Sequence, residues 1–429
     1  MRRIIPAILA AALLVPFGVQ AEPAVVTDSA PATGVRSLGA LLDEALDKNP
    51  RLRAVEGRYR AAQERLSLVR GLPDPELEYE YDRITPSATS MGGGKQTPMK
   101  TLAVSQEIPF PTKLFLRQRI AQREAVSLGA EYEEARRTLV KDVKSAYYNL
   151  ILSRRRATLA ADSLGLLQQI ASALNTSYAA GKAAPSDILR ARAEAARAEN
   201  ERILYEQEAR VAESWLASLL GREEAALSAV VGTALPVAPI LTDGDVVRLA
   251  KENRPQLKSY RNLLEKARLE RSLSRQEFLP DIKLRYKRED KDGSFREGEW
   301  AGSVGVTVPL WFWGKQAAEV REAKANLQAA EADYQAEENA AVFETKSAFA
   351  RFEAARSMEQ VYANGILPQA DGAVASARRA YEAGNGTLAD WLEAYKAQRQ
   401  LQAEYAQAQA GVLTALADLE QVTGAELSH

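Results

Sequence analysis

From Leu114 to Thr176 the chain holds no proline and only two glycines, Gly129 and Gly165, among Ala, Leu, Arg, Glu, Gln and Ser at helical spacing. As one continuous helix this stretch would span about 90 Å, far more than a globular domain needs. Before it lie Met99–Ile108, which alternates like a strand, and Pro109-Phe110-Pro111-Thr112-Lys113. A short strand feeding so long a helix cannot be buried in one ordinary core. The same object recurs from Ser303 through Lys315 and onward, so the fold must accommodate two such staves.

Other landmarks repeat with them. Asn49-Pro50-Arg51-Leu52 resembles Arg254-Pro255-Gln256-Leu257, and Leu72-Pro73-Asp74 resembles Leu279-Pro280-Asp281. Ile108-Pro109 with Lys113 is echoed by Val308-Pro309 with Lys315. Tyr178-x-x-Gly181-x5-Asp187-x-Leu189 is echoed by Tyr381-x-x-Gly384-x5-Asp390-x-Leu392, and Leu220-Gly221 by Thr423-Gly424. Each half reads helix, strand, strand, very long helix, turn, helix. The two repeats are residues 38–231 and 242–424, joined by a linker at 232–241 and followed by a short tail at 425–429.

In the first half Pro50 suits the first turn of a helix that stops at Gly71-Leu72-Pro73. Leu77-Glu78-Tyr79-Glu80-Tyr81-Asp82 alternates with period two, and the return strand sets Leu102, Val104 and Ile108 against Ala103, Ser105 and Glu107. After the long helix, Ala179–Pro185 turns around Gly181. Ser186 offers a cap and Asp187 a first-turn acid for the next helix, one face of which includes Leu189, Ala193, Ala196 and Ile203. In the second half Ile282, Leu284 and Tyr286 alternate with Lys283, Arg285 and Lys287, and Val304, Val306 and Val308 alternate with Ser303, Gly305 and Thr307. Gly365 and Pro368 interrupt the second long helix, where a bend or division is expected. Gly384-Asn385-Gly386 then turns the chain into the last helix.

Arg2 and Arg3 precede an apolar run closed by Val19-Gln20-Ala21, the pattern of a secretory signal peptide over residues 1–21. Residues 22–37 read as a flexible lead-in. Without Arg2 and Arg3 the 56 basic residues fall to 54 against 57 acidic ones, a net charge of −3 that disfavours nucleic acid as a partner. There is no Cys, and the single His is His429. A His-based metal centre or a Ser–His–Asp triad within the fold is therefore excluded, and no cofactor, metal site or enzymatic activity is expected. No other stretch is long and apolar enough for a membrane helix.

The strands point to a membrane by another route. Each has one largely apolar face and one polar or charged face. Four short strands cannot close a barrel, and open edges are not tolerated in lipid. Three chains with four strands each would form a closed twelve-stranded barrel, with Lys283, Arg285 and Lys287, and Glu78, Glu80 and Asp82, toward a wet lumen. Trp311 and Trp313, at the strand–helix junction, suit the aromatic girdle of a membrane edge.

These features together resemble the TolC-type outer membrane efflux proteins. Within them, Gly305-Val306-Thr307-Val308-Pro309-Leu310-Trp311-Phe312-Trp313-Gly314-Lys315 is most similar to the heavy-metal cation efflux branch (CzcC- and CusC-like). The resemblance implies a mainly α fold with a membrane β-barrel. In it, a homotrimeric twelve-stranded β-barrel in the cell outer membrane is continued by a long periplasmic α-helical barrel. It implies a passive conduit in a tripartite efflux system, with heavy-metal cations as substrate. The partners implied are a periplasmic membrane-fusion adaptor and an inner-membrane pump of the RND type. Adaptor-docking tip turns would be Gly181, Lys182 and Ala183, and Gly384, Asn385 and Gly386. The periplasmic gate would use Tyr381 and Asp187, with an acidic ring of Asp390 and Glu393. Two departures stand out: a basic gate residue of the best-known members falls on Gly386, and the lipidated Cys of several members is missing. Drug efflux or type I protein secretion is the alternative cargo, and a soluble periplasmic coiled-coil adaptor the alternative of another class.

Overall fold

The computed structural model describes residues 37–83, 98–181, 184–223, 242–290, 299–308 and 313–427. The expected signal peptide, most of the lead-in, the 232–241 linker, Lys182, Ala183, Trp311 and the last two residues of the tail lie outside them.

Two short helices, α1 (Leu38–Lys48) and α2 (Pro50–Arg70), open the first repeat. Asn49 separates them and caps α2, its Oδ1 accepting from the backbone N–H of Arg51 (2.9 Å) and Leu52 (3.1 Å). Strands β1 (Glu76–Arg83) and β2 (Pro98–Ile108) follow, then α3 (Pro111–Ala179), 69 residues and roughly 100 Å long. Pro111 starts α3 where its missing N–H costs nothing. Helix α4 (Pro185–Leu219) returns along α3. It starts at Pro185, with Ala184 as its cap residue and no side-chain bond, so Ser186 is not the cap: it already lies inside the first turn.

The second repeat runs α5 (Asp243–Asn253), α6 (Pro255–Gln276), β3 (Asp281–Asp290), β4 (Glu299–Thr307), α7 (Lys315–Val361), α8 (Leu367–Glu382) and α9 (Leu388–Thr423). Between α7 and α8 lies one π-helical turn, Tyr362–Ile366. Pro368 has no N–H to give the preceding turn, and the wider π turn absorbs this without leaving the helix. The repeat shows the same event. Val143, Ala146, Tyr147 and Leu150 of α3 are buried, as are Thr345, Ala348, Phe349 and Phe352 of α7, each 202 residues later. At the far end Tyr178 and Tyr381 are 203 apart. The π turn takes up the one inserted residue.

Neighbouring helices lie side by side: α4 and α9 both pack on the lower part of α3, and α8 packs on α9. Above them α2 and α6 flank the upper part of α3, and α7 follows α6. Helix α4 ends at Gly221, under the α1–α2 junction, where Asn49 Nδ2 donates to Leu219 O at 2.9 Å. Helix α9 ends the same way at Gly424 under the α5–α6 junction. The main core sits at this level, with Leu41, Ala45 and Leu52 against Val143, Tyr147 and Leu150 of α3 and Leu216 of α4.

The strands form one antiparallel sheet in the order β1-β2-β3-β4. One face is apolar and exposed, with Leu77, Tyr79, Leu102, Val104, Leu284, Tyr286, Val304 and Val306. The other carries Glu76 and Glu78 of β1 and Lys283 and Arg285 of β3. Their ion pairs, at 3.4 and 2.6 Å, cross over Ser105 and Ala103 of β2.

Gly221 and Gly424 have φ of 70° and 66°, and a Cβ there would stand 3.0 Å from Lys48 O and 2.9 Å from Asn253 O. Gly181 and Gly384 have similar φ but open space around them. Alanine should therefore cost about 1–2 kcal/mol at Gly181 or Gly384 and more at Gly221 or Gly424. Thermal unfolding followed by helical circular dichroism, comparing the four variants, checks this ranking.

Candidate functional site

The lower end of the molecule is made of two turns. Helix α3 ends with Ala180 N–H on Thr176 O (3.2 Å) and Gly181 N–H on Tyr178 O (2.9 Å). Helix α8 ends more tightly, with Gly384 N–H on Tyr381 O (3.0 Å) and Asn385 N–H on Ala380 O (2.9 Å). This pair of bonds satisfies the last carbonyls through a left-handed glycine. Gly386 lies against the same helix end: a Cβ on it would be 3.0 Å from Ala380 Cβ and 3.3 Å from Tyr381 N. The turn has little room for a side chain where the resembled family places a basic one.

Asp390 opens α9 as half of a capping box. Thr387 Oγ1 accepts from Asp390 N–H (3.2 Å), while Asp390 Oδ2 accepts from Thr387 Oγ1–H (2.6 Å) and Thr387 N–H (3.1 Å). The Thr387 hydroxyl, and then its backbone N–H, hold the Asp390 carboxyl below its ordinary value. Glu393 is exposed one turn further on. Asp187 sits in the first turn of α4, its N–H on Ala184 O at 3.1 Å.

Tyr381 packs beside Trp391, ring centroids 5.6 Å apart, over Leu388 and Leu392. No hydrogen bond joins Tyr381 to Asp187 within the chain. Asp187 lies on α4, on one flank of α3, whereas Tyr381 lies on α8, beyond α9 on the other flank. A single chain thus brings together Tyr381, Asp390 and Glu393 at one turn and keeps Asp187 at the other.

The two turns share a motif but differ in cover. Leu392 is buried at 7% exposure against α3, whereas its counterpart Leu189 is 65% exposed. The α4 face buried in the chain carries Ile188, Ala191, Ala195 and Ala198. The face read from the sequence, with Leu189, Ala193, Ala196 and Ile203, is instead open to solvent, and Val211 and Trp215 continue its exposed apolar surface. Helix α4 therefore has two apolar faces and only one partner.

Sequence reasoning missed the polar tie above the tip. Arg399 of α9 donates to Ser163 Oγ of α3 at 2.7 Å and pairs with Glu201 of α4. These partners are more than 190 residues away in sequence, and nothing local marks them. Two tyrosine bonds brace the π turn against α9, Tyr362 to Glu404 (3.0 Å) and Tyr405 to Glu359 (3.1 Å).

At the upper end Trp313 is exposed at the start of α7. A second aromatic group was not anticipated: Trp300 at the loop end of β4 stacks on Tyr286 at 6.3 Å, with Tyr79 and Tyr81 on the same face. The apolar face thus has aromatic residues toward both ends, as a membrane-crossing strand band requires. Among the described residues no helix is long and apolar enough to cross a membrane.

Residues 41–222 and 246–425, the two repeats, match the family described as outer membrane efflux protein. The cobalt-zinc-cadmium resistance protein CzcC of Cupriavidus metallidurans is 24% identical over 416 residues, 94% of this chain and 95% of that one. The outer membrane protein VceC of Vibrio cholerae superposes with a TM-score of 0.78 at 20% identity, over 91% of this chain and 97% of that one. CusC gives 0.76 at 18% identity, over 90% and 92%. At such identities the structural likeness concerns the fold.

Loss of the capping box should loosen the tip. Thr387→Ala is expected to cost about 1 kcal/mol, seen as roughly fivefold faster hydrogen exchange in the first turn of α9. The lowered Asp390 pKa means its contribution is present above the ordinary aspartate value of 3.8 and is lost as pH falls through the folded value. The difference between Thr387→Ala and the unmodified protein should therefore shrink in exchange measured below that pH.

Proposed function

This chain belongs to the outer membrane efflux protein family, and from that premise we propose that three copies form the outer membrane channel of a tripartite efflux system. Its place is the outer membrane, with the helices extending into the periplasm. Both sheet edges lack a partner strand within the chain, and lipid does not tolerate open edges. Three four-stranded sheets close into a twelve-stranded barrel, and the helical layers below them close into a second barrel across the periplasm.

The observation that carries this reading is the exposed apolar face of α4, with Leu189 and Ile203, on a helix whose opposite face already packs on α3. A helix apolar on two sides belongs inside a wall of helices. The flank opposite α4 is formed by α8, so closure sets α4 of one copy beside α8 of the next. Asp187 and Tyr381 then meet between copies and form the gate, and the tip turns around Gly181 and Gly384 receive a periplasmic adaptor. An inner-membrane pump of the RND type supplies the energy; the channel itself performs no chemistry.

Heavy-metal cations are the proposed cargo. The named resistance of the CzcC relative supports this, as do Asp390 and Glu393, which place six carboxylates around a trimeric tip and favour cations. Since Asp390 also caps α9, Glu393 is the cleaner probe. Tyr381→Phe with Asp187→Ala should raise single-channel conductance in planar bilayers severalfold, and Glu393→Gln should lower cation preference. Unchanged conductance and selectivity would refute the gate and the acidic ring. A deletion strain should become sensitive to cobalt, zinc or cadmium; sensitivity to drugs alone would refute the cargo.

A further inference from the structure

At the corner where β2 turns into α3, Lys113 is 1% exposed. Its Nζ donates to Leu279 O (2.9 Å) and to both Asp281 carboxylate oxygens (3.0 Å each), and lies 3.3 Å from Glu277 Oε2. Phe110 N–H also donates to Asp281 Oδ1 at 2.9 Å. Arg117, one turn along α3, reaches Glu277 at 3.5 Å. This cluster fastens the first repeat to the second, beside the β2–β3 seam.

The repeat supplies the same parts a second time, and the chain cannot use them. Lys315 stands 202 residues after Lys113, the same offset as the matched buried positions of α3 and α7. Asp74, in Leu72-Pro73-Asp74, corresponds to Asp281 in Leu279-Pro280-Asp281. Yet Asp74 precedes β1 and Lys315 follows β4, at opposite edges of the sheet. The Lys315 side chain is 76% exposed and reaches only Glu319, at 4.0 Å. Asp74 is exposed and has no ion pair. The flanking charges are exchanged as a pair. The counterpart of Arg117 is Glu319, and counting back from the shared Leu-Pro-Asp, the counterpart of Glu277 is Arg70. A double reversal keeps the two positions complementary only if they face each other.

We propose that the open edges of the sheet join between copies in one register, set by Lys315 of one copy on Asp74 of the next, with Glu319 beside Arg70. This rests on the reading that copies close into a barrel. Within the chain Val104 lies opposite Tyr286 and Ile108 opposite Ile282. Carrying this to the other seam places Val304 opposite Tyr79, Val306 opposite Leu77 and Thr307 opposite Glu76 of the next copy. Both faces agree with it. Apolar residues meet on one side. On the other, the small Gly305 and Ser303 lie between the basic row of β3 and the acidic row of the next β1, as Ser105 and Ala103 do within the chain. A one-residue slip would invert the faces. A two-residue slip would preserve them but separate Lys315 from Asp74, so the corner selects the register.

The chain has no Cys, so paired cysteines report the seam directly. Directly opposed residues fit a disulfide, whereas positions two along the strand lie too far apart. In outer membranes under mild oxidation, Tyr79→Cys with Val304→Cys should give covalent dimers and trimers. Val304→Cys with Leu77→Cys or with Tyr81→Cys should lose them. Preferential linkage in either of the latter pairs, or no preference in a protein that extracts as a trimer, overturns the register while leaving the channel reading intact. Extraction as a monomer overturns both. In the same protein Asp74→Lys or Lys315→Asp alone should lower the temperature at which the trimer dissociates, and the two together should restore it. Additive losses in the double variant overturn the corner.

Discussion

In hydrocarbon a backbone N–H or C=O finds no partner but another backbone group, and each one left unpaired costs several kcal/mol. That constraint governs this molecule more than any side-chain contact. The four strands satisfy one another internally in the order β1-β2-β3-β4, leaving the outer edges of β1 and β4. The hairpins each occupy one end of a repeat, and the long helices hang from them. Once the edges must close upon other copies, the helices below are carried round into a wall. The exposed apolar face of α4 follows from the same closure.

The strand–helix corners join these two regimes. Lys113 is buried at the one point where a lipid-spanning strand becomes a periplasmic helix, and it is satisfied by a carbonyl and carboxylates from the other repeat. A buried charge contributes little net stability, but removing its partner is strongly destabilising. Such a contact therefore acts as a geometric key, fixing how one hairpin sits beside the next. Farther down, the work passes to helix packing and to polar ties such as Arg399 with Ser163 and Glu201. These lie deep in the helical layer, whereas the tip turns below are held only by local backbone bonds and one capping box.

Much of this was legible in the residues because the signals were local and doubled. The alternation of Leu77-Glu78-Tyr79-Glu80 and the unbroken run after Lys113 report strand and helix through side-chain period alone. The repeat made each feature count twice, and the Gly365–Pro368 interruption marked where a π turn lies. Other features escaped for physical reasons. Ser186 looked like a cap, but Pro185 already satisfies the start of α4. The Leu189 face looked like the packed one, but in an Ala-rich helix Ile188-Ala191-Ala195-Ala198 is as apolar and lies against α3. Trp300, at the distal end of the sheet, gave no pattern of its own. The membrane-edge placement of Trp311 falls outside the described residues.

The sequence by itself determined the two-fold repeat, the hairpins with one apolar face, the long helices and the glycine turns, because each depends on spacing within a few residues. Only the tertiary structure decided which of those parts find partners inside one chain. It showed Lys113 held and Lys315 open, Leu392 covered and Leu189 bare, Asp390 engaged in a cap, and Asp187 distant from Tyr381. Two halves with nearly the same local code occupy different surroundings, because the chain has two ends. Each repeat has a neighbour on one side only, and that asymmetry is not written in either repeat alone.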